Sequence, residues 1–558
     1  MFVFLSAVAL CFVFVLQRLV YAKQKHPLFW IVAVFIAILL LTYLLNPNNR
    51  VYSFHGFIHA GIVYEILNGN IPPSNPFLAQ EALHYPWGYH LLAAGITWIC
   101  HITPFYAFMI INIISLLLSM VLVFKISSML IKDTNANVLS LFTSIFGITV
   151  FCEWFTRPIS GWIHVGIEER ATPAFLKFFN VNGVPLGLVF FLLFLLAVIR
   201  IFRWKKPLSD AALLAISILG VAFFYPAMLF SLCAATACIC PASWLGDKAS
   251  GARVWLKKVV LVLCILIGCI AVMLPYFDSI SAGLEVQKMT LEINAAMLKS
   301  VSYIVLLFPV MAVIFLNRRQ TAGRLDRSAF VVTVAGVAGT FLAYACMNLP
   351  ERSEYKALLL SAVMMGILGG PAFAAMKTWC PRIVVLMLLL AFAFPSWTKV
   401  YSKTNWLNDL PVDFTESGRY ICIADEEEDE MHRWIQKRTS KDSVFIDTEL
   451  TIPVFASRRL FIGPDKWKQK GFKLKFLRKV CRYDPEMLRR RHSIVKRIYN
   501  ASFYRNDASP ANLIVQQPDV YIVVRNNRNP GFFERRGYRN IFRSSLGHFM
   551  IYQMPLGR

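Results

Sequence analysis

The residues best placed to do chemistry lie near the start of the chain, in the sequence YSFHGFIHAGIVYEIL from Tyr52 to Leu67. His55 and His59 are four positions apart and share a helix face, as metal ligands on a helix do, although a site would need a third ligand. Glu65 is the one acidic residue between positions 46 and 80. His55 and Glu65 are therefore candidate bases, against the alternative that they are ordinary polar residues of an interfacial helix.

The same segment predicts an amphipathic helix on the membrane surface, because apolar residues recur in it at helical spacing. Two prolines between positions 70 and 75 then predict a turn, and HYPWGYH (residues 84–90) leads back into an apolar stretch. The candidates for substrate binding in this part of the chain are His59, His84 and Tyr85.

A second polar stretch, residues 153–183, contains Glu168, Glu169 and Arg170 among aromatic residues. The two carboxylates are alternative bases or ligands of a divalent metal, and the arginine suits a phosphate. The alternative is a polar rim at the lipid headgroups.

A third polar stretch, NLPERSEYK, runs from Asn348 to Lys356. Arg352, Glu354 and Lys356 lie in it at the mouth of an apolar stretch. Such charges often anchor a span end, but their density here also fits substrate binding through a phosphate.

The composition indicates a membrane protein. The 558 residues are 57% hydrophobic and 16% charged, with a mean hydropathy of +0.55, whereas soluble domains are about a quarter charged. Much of the net charge of +25 falls in short loops between apolar stretches, where lysine and arginine mark the cytoplasmic side. Nucleic acid is therefore not the expected partner.

The apolar stretches predict about twelve spans. They are placed near 2–20, 28–45, 104–125, 137–152, 184–203, 210–225, 226–242, 259–275, 298–316, 328–348, 356–376 and 382–397. The stretch 85–100 is interrupted by proline, glycine and histidine and is too short, so it is expected not to cross. With this choice every basic loop falls on one side of the membrane.

The predicted fold is a mainly α membrane helix bundle, residues 1–397, followed by a soluble α/β domain, residues 398–558. Loops 46–103 and 153–183 and the C-terminal domain lie on the outer side of a bacterial inner (plasma) membrane. Within the soluble domain, residues 424–439 predict a helix, and 443–447, 459–462, 520–525 and 548–553 predict strands. Cys422 and Cys481 are equally compatible with a disulfide or with free thiols.

This arrangement resembles the GT-C superfamily of membrane glycosyltransferases. The matching parts are the early span, the first outer loop SFHGFIHAGIVYEILNGNIPPSNPFLA with its surface helix, the re-entry at HYPWGYH, the acidic second loop and the C-terminal outer domain. The resemblance implies transfer of a sugar from a polyprenyl-phosphate donor to an envelope glycan, lipid or protein. The implied partners are a polyprenyl-phosphate-linked sugar and membrane lipid.

One feature departs from that superfamily, whose active members usually carry acidic residues early in the first outer loop. Residues 46–61 hold none. A histidine acts as base, or Glu65 or the second loop supplies the carboxylate, or catalysis has been lost. The alternative function is a non-enzymatic membrane protein that transports or scaffolds lipid-linked glycans.

Overall fold

The computed structural model describes residues 54–147, 178, 181–203, 207–246, 251–281, 290–291, 325–348, 355–374, 426–463, 483–499, 519–525 and 531–554. The chain divides into two compact units. The bundle unit comprises Met1–Pro47, Ile110–Tyr276 and Gln287–Thr404, and the sheet unit comprises Asn48–Met109, Phe277–Val286 and Asn405–Arg558. The predicted domain boundary at 397/398 lies outside the described residues and stays a prediction.

The described part of the bundle unit consists mainly of apolar helices. They are α3 (Pro104–Leu130, in this unit from Ile110), α4 (Thr134–Phe142), α5 (Val184–Arg203), α6 (Pro207–Phe224), α7 (Leu229–Gly246), α8 (Gly251–Ser281), α9 (Arg327–Cys346) and α10 (Tyr355–Ala374). A short antiparallel ladder joins β1 (Thr290–Leu291) to β2 (Met347–Asn348).

Six helical segments in the described part of the chain are long and apolar enough to cross a membrane: Pro104–Leu130, Val184–Arg203, Pro226–Gly246, Gly251–Ser281, Arg327–Cys346 and Lys356–Ala374. Each coincides with a predicted span. The predicted span 210–225 falls on a shorter apolar helix, Leu208–Phe224, and 137–152 is described only in its first part. The remaining four predicted spans lie outside the described residues, so the prediction of a membrane protein is confirmed while the count of about twelve is not.

At one end of the bundle unit, two ion pairs and a hydrogen bond join α5 to α6, α8 and the residue before α9. Arg203 Nε donates to Asp326 Oδ2 at 3.0 Å, and Arg200 Nε lies 2.7 Å from Asp210 Oδ1. Lys258 Nζ, on α8, donates to a backbone carbonyl at the end of α5, 2.8 Å away. Basic residues thus gather where α5 ends and where α6, α8 and α9 begin, as the charge distribution of the loops predicts for a cytoplasmic end.

Close helix packing in the bundle unit depends on glycines of α10. A Cβ at Gly370 would lie 2.0 Å from the carbonyl oxygen of Ala136, and one at Gly366 would lie 2.3 Å from Ser144 Cα. Ser140 Oγ accepts from Gly370 N at 3.1 Å. Small residues let the backbones of α4 and α10 meet, as is common between helices in membranes.

The sheet unit combines the segment predicted as the first outer loop with the C-terminal region. Its helices are α1 (Phe54–Leu67), α2 (Gly88–Cys100), α11 (Glu426–Arg438), α12 (Pro485–Tyr499) and α13 (Gly531–Glu534). Its strands are β3 (Val444–Ile446), β4 (Arg459–Leu460), β5 (Val520–Arg525), β6 (Arg539–Arg543) and β7 (Phe549–Gln553). The sheet order is β4-β3-β5-β7-β6.

The sheet is mixed, since β3 is parallel to β4 and β5 whereas β7 is antiparallel to β5 and β6. The helix predicted over 424–439 and the four predicted strands are present with small differences in their ends. Helix α12 and strand β6 were not predicted. The sequence does carry a start signal for α12, because Asp484 accepts hydrogen bonds from the backbone N–H groups of Glu486 and Met487.

Helix α1 is buried rather than amphipathic. Every residue from 56 to 63 is buried, because Phe57 packs against both Phe105 and Phe455 and other protein groups cover His59 and Glu65. The apolar spacing identified the helix correctly, but the predicted solvent-facing side is covered by the rest of the sheet unit.

Helix α2 has 13 residues, which at 1.5 Å per residue gives about 20 Å, against a hydrocarbon core of about 30 Å. A left-handed residue, His101, ends it. The length agrees with the prediction that residues 85–100 do not cross the membrane, and the side on which each end lies stays a prediction.

Candidate functional site

Two buried histidines join α1 to α2. His59 Nδ1 lies 2.7 Å from His90 Nε2, and the rings are stacked with centroids 4.9 Å apart. At that separation one nitrogen carries the hydrogen and the other accepts it. Burial lowers the pKa of His90 to about 3, against the opposing effect of nearby backbone carbonyls, so His90 is neutral at physiological pH.

Aromatic rings enclose the histidine pair. The Tyr85 ring centroid is 5.8 Å from each imidazole, and Tyr89 stacks on Phe108. Tyr85 is half-buried, so it is the member of this cluster that reaches the surface. His59 and Tyr85, both predicted for substrate binding, are therefore brought together, and His90 is the partner that the sequence analysis did not select.

Glu65 is held by a long-range ion pair. Arg459 Nε lies 3.2 Å from Glu65 Oε1 and 3.1 Å from Oε2, and Asn70 Nδ2 donates to Oε2 at 2.9 Å. Burial raises the pKa of Glu65, while the guanidinium of Arg459 and the Asn70 amide act in the opposite direction. These contacts make Glu65 an anchor between α1 and β4, and its assignment as a base stays a prediction.

The loop after α1 continues this attachment along the edge strand β4. Leu460 N donates to Pro76 O at 2.9 Å, Ala79 N donates to Leu460 O at 2.8 Å, and Gly463 N donates to Phe77 O at 2.7 Å. The first outer loop therefore pairs with β4, whose edge would otherwise leave unpaired backbone groups.

A second set of contacts fixes the loop to α12. Arg491 donates to Ala79 O at 2.8 Å and pairs with Glu81 at 3.2 Å. His84 packs on Tyr483, with ring centroids 5.3 Å apart, and burial lowers the pKa of His84 against the opposing effect of Glu81. His84 thus lies at the contact between the loop and the residues just before α12.

In the bundle unit, Lys356 lies at the start of α10. Its Nζ is 4.7 Å from the ring centroid of Tyr225, within the range of a cation–π contact. Tyr225 sits in the break between α6 and the short 3₁₀ turn Pro226–Met228. The half-buried lysine is thereby packed against the turn that follows α6.

The other predicted site residues are outside the described part of the chain. Glu168, Glu169, Arg170, Arg352 and Glu354 are in this group, and so is the side chain of His55, although its backbone belongs to α1. Among the described residues no three His, Cys, Asp or Glu side chains are grouped so as to hold a metal ion. Their predicted roles, and a divalent metal at Glu168 and Glu169, stay predictions.

No protein-family model matches the chain, and no curated protein matches it in sequence. Solved structures do match it in fold. ArnT from Cupriavidus metallidurans in the apo state is 10% identical with a TM-score of 0.50, over 94% of this chain and 97% of that chain. The same protein bound to undecaprenyl phosphate gives 10% and 0.50, over 96% and 100%.

An oligosaccharyltransferase of Archaeoglobus fulgidus in the apo form is 13% identical, with a TM-score of 0.46, over 91% of this chain and 71% of that chain. ArnT and this oligosaccharyltransferase are both GT-C superfamily membrane glycosyltransferases. The match to ArnT extends over nearly the whole of both chains. The chain thus resembles GT-C membrane glycosyltransferases in fold, as its sequence predicts.

Proposed function

We propose that the protein is a GT-C-type glycosyltransferase that transfers a sugar from a polyprenyl-phosphate donor to an envelope glycan, lipid or protein. The observation that carries the proposal is the likeness in fold to ArnT over 96% of this chain and 100% of that one, in a structure of ArnT bound to undecaprenyl phosphate. A bundle of membrane helices joined to a mixed sheet offers both a lipid-facing region and a water-facing region for such a reaction.

In the proposed reaction the acceptor hydroxyl attacks the anomeric carbon and the lipid phosphate leaves. A base takes the hydroxyl proton, for which His55 is the first candidate, because the carboxylate of Glu65 is occupied by Arg459 and Asn70. Glu168 and Glu169 are the alternative bases or ligands of a divalent metal. Cationic groups offset the charge that develops on the leaving phosphate.

The proposed phosphate contacts are Arg170, Arg352 and Lys356. Lys356 is supported by its placement, since its ammonium lies over the ring of Tyr225 at the start of α10. The proposed substrate contacts are His59, His84, Tyr85 and Glu354. Of these, Tyr85 is partly exposed beside the histidine pair. The imidazole of His59 is held by its hydrogen bond to His90.

The placement in the cell is also part of the proposal. In this proposal about twelve spans cross a bacterial inner membrane. The sheet unit lies outside the cytoplasm, and the basic end of the bundle unit faces the cytoplasm. The predicted division into residues 1–397 and 398–558 belongs to the same proposal.

The test uses the purified full-length protein in lipid nanodiscs with a radiolabelled polyprenyl-phosphate sugar and a membrane extract as acceptor. Transfer of label to an acceptor supports a glycosyltransferase. Binding of the donor with no transfer or release of sugar under any acceptor condition would favour the transport or scaffolding function instead.

A further inference from the structure

Helix α12 presents a basic face to solvent. Leu488, Ile494 and Ile498 are buried against the sheet unit, and the opposite side of the helix is exposed. That exposed side consists of Arg489, Arg490, Ser493, Lys496 and Arg497. Ser493 is three or four positions from each of the four cationic residues, so Arg489 and Arg490 lie on one side of it and Lys496 and Arg497 on the other, on the same face of the helix.

The sheet unit offsets little of this charge, although Arg489 is one of the groups that lower the pKa of the Asp484 carboxyl. None of the four basic side chains makes an ion pair within the described part of the chain, and the acidic residues of this helix region, Asp484 and Glu486, are confined to its beginning. Arg491 shows the contrast, since it points inward to Glu81 and the carbonyl of Ala79. The inward-pointing Arg491 therefore stabilises the fold. The outward-pointing basic side chains are available to bind a ligand.

The sequence that precedes the helix also carries a positive charge. Residues 464–482 include eight lysines and arginines and one acidic residue, Asp465. Blocks of like charge repel one another and are retained where an oppositely charged partner is present. The positive charge of residues 464–482 and of the exposed side of α12 therefore indicates an anionic partner larger than a single side chain.

Phosphate is the anion that best suits clustered arginines, whose planar guanidinium groups donate two parallel hydrogen bonds. The six helices that are able to cross a membrane tie this chain to a bilayer, so lipid phosphates are anionic groups to which the chain as a whole is always exposed. Polybasic segments close to a membrane bind anionic lipids by this attraction.

We propose that the basic face of α12 binds the anionic phospholipid headgroups of the bilayer in which the chain is embedded. The binding is electrostatic, because the apolar side of α12 is already buried in the sheet unit and does not insert into lipid. It should accordingly weaken as ionic strength rises. This role is independent of the proposed sugar transfer.

The experiment places a fluorescent label at Ser493→Cys of the full-length protein, in a cysteine-depleted background, and reconstitutes it in nanodiscs. The discs contain a headgroup-attached quencher lipid in either zwitterionic or 30% anionic phospholipid. Quenching should be stronger in the anionic discs and should fall to the zwitterionic level in 0.5 M salt.

The variant R489Q/R490Q/K496Q/R497Q removes the patch at exposed positions and preserves helix propensity. Each basic residue near an anionic surface contributes a factor of roughly five to association, so this variant should lose about 600-fold in the ratio of membrane-bound to unbound helix. K437Q/R438Q/K441Q/R539Q removes four positive charges from other exposed positions and should retain the quenching.

Equal quenching in zwitterionic and anionic discs would overturn the proposal, as would equal quenching of the patch variant and the native patch. A loss that is the same in the control variant would assign the effect to net charge rather than to α12 and would overturn it as well. Unchanged thermal unfolding of each variant shows that the readout reports binding.

Discussion

Glu65 and Arg459 form an ion pair between residues 394 positions apart, with the Arg459 Nη2 to Glu65 Oε2 distance at 3.1 Å. The side chains are 3% and 15% exposed, so both charges have lost most of their contact with water. The attraction between them compensates for that loss. The pair ties α1, which carries His59, to the edge strand β4. It is one of several contacts by which the C-terminal region holds the first outer loop.

Removal of one partner should destabilise the protein more than removal of both. Arg459→Met leaves the Glu65 carboxylate buried without its cation, which should cost about 3–5 kcal/mol. The double variant E65Q/R459M leaves no charge behind and should recover most of that loss. Unfolding of the purified protein by heat and by denaturant measures each step.

Arg433→Met is the matched control for this cycle. Arg433 pairs with Asp429 at 3.0 Å, but the side chains are 64% and 40% exposed, and such pairs contribute at most about 0.5 kcal/mol. A loss in Arg459→Met no larger than that in Arg433→Met would contradict the structural role of the buried pair.

Substitution of two glycines in the bundle unit should have opposite effects. In Gly370→Ala the new methyl group would overlap the carbonyl of Ala136, so α4 and α10 must separate, at a cost of about 1–3 kcal/mol. Gly268, on α8, has no atom within 4 Å of its Cβ position among the described residues. Gly268→Ala should be neutral or should stabilise the helix by about 0.5–1 kcal/mol. Thermal unfolding in detergent compares the two, and equal shifts would argue against the close packing of α4 on α10.

The sequence predicted the helices and strands of this protein better than it predicted the contacts between them. The run from Val520 to Arg525 is rich in branched and aromatic residues and forms β5 at the predicted bounds. Strand β6, RNIFR, has charged residues at both ends and gave no such signal. Helix Glu426–Arg438 was predicted from its acidic start and basic end, which suit the helix dipole.

The long-range contacts could not be predicted, because no local pattern encodes them. His55 and His59 drew attention by their spacing, yet the partner of His59 is His90 on another helix. Nothing near Glu65 in the sequence identifies Arg459 as its partner. The prediction that α1 is amphipathic, with one face exposed, was wrong for the same reason, since the residues covering α1 include Phe455, almost four hundred positions away.

The stability of the sheet unit should fall in mild acid because of His432. This side chain is 2% exposed, its ring packs on Phe455, and its Nε2 is 3.2 Å from Thr451 Oγ1 and 4.0 Å from Glu428. Burial, with a contribution from Arg525, lowers the pKa of His432 to about 3, and Asp447 opposes this.

The folded-state pKa of His432 lies below the unfolded value of about 6.5, so the stability it contributes is complete above pH 6.5 and is lost as the pH falls toward 3. At pH 5 protonation of His432 in the unfolded chain should lower the free energy of unfolding by about 2 kcal/mol. Unfolding free energies at pH 7.5 and pH 5 measure it. His432→Gln should be less stable at both pH values but show a smaller difference between them, whereas the exposed-site control His101→Gln should retain the native difference. An unchanged difference in His432→Gln would contradict the assignment.

The proposed orientation in the membrane can be tested by cysteine labelling from outside the cell in a cysteine-depleted background. Ile71→Cys and Ser545→Cys, at exposed positions of the sheet unit, should react with a membrane-impermeant maleimide. Lys257→Cys, at the basic end of the bundle unit, should react only after the membrane is opened. Asn75 is unsuitable as a labelling position because it is buried and bonded to Tyr483. The reverse pattern would overturn the orientation.

Lys356 provides the most direct test of the proposed chemistry, because it is a described candidate for contact with the donor phosphate. Lys356→Met retains most of the apolar stem and removes the charge, and loss of a charged hydrogen bond of about 1.5–3 kcal/mol should lower sugar transfer about 10- to 100-fold. Lys356→Arg keeps a cation over the Tyr225 ring and should retain much of the activity. Tyr225→Phe keeps the ring face and should also be active, whereas Tyr225→Leu removes the cation–π contact with Lys356 and should lower activity. Lys257→Met controls for the loss of one positive charge.

If the native protein transfers sugar and Lys356→Met does so equally well, only the role of Lys356 is wrong. If the native protein transfers none, the proposed function itself fails.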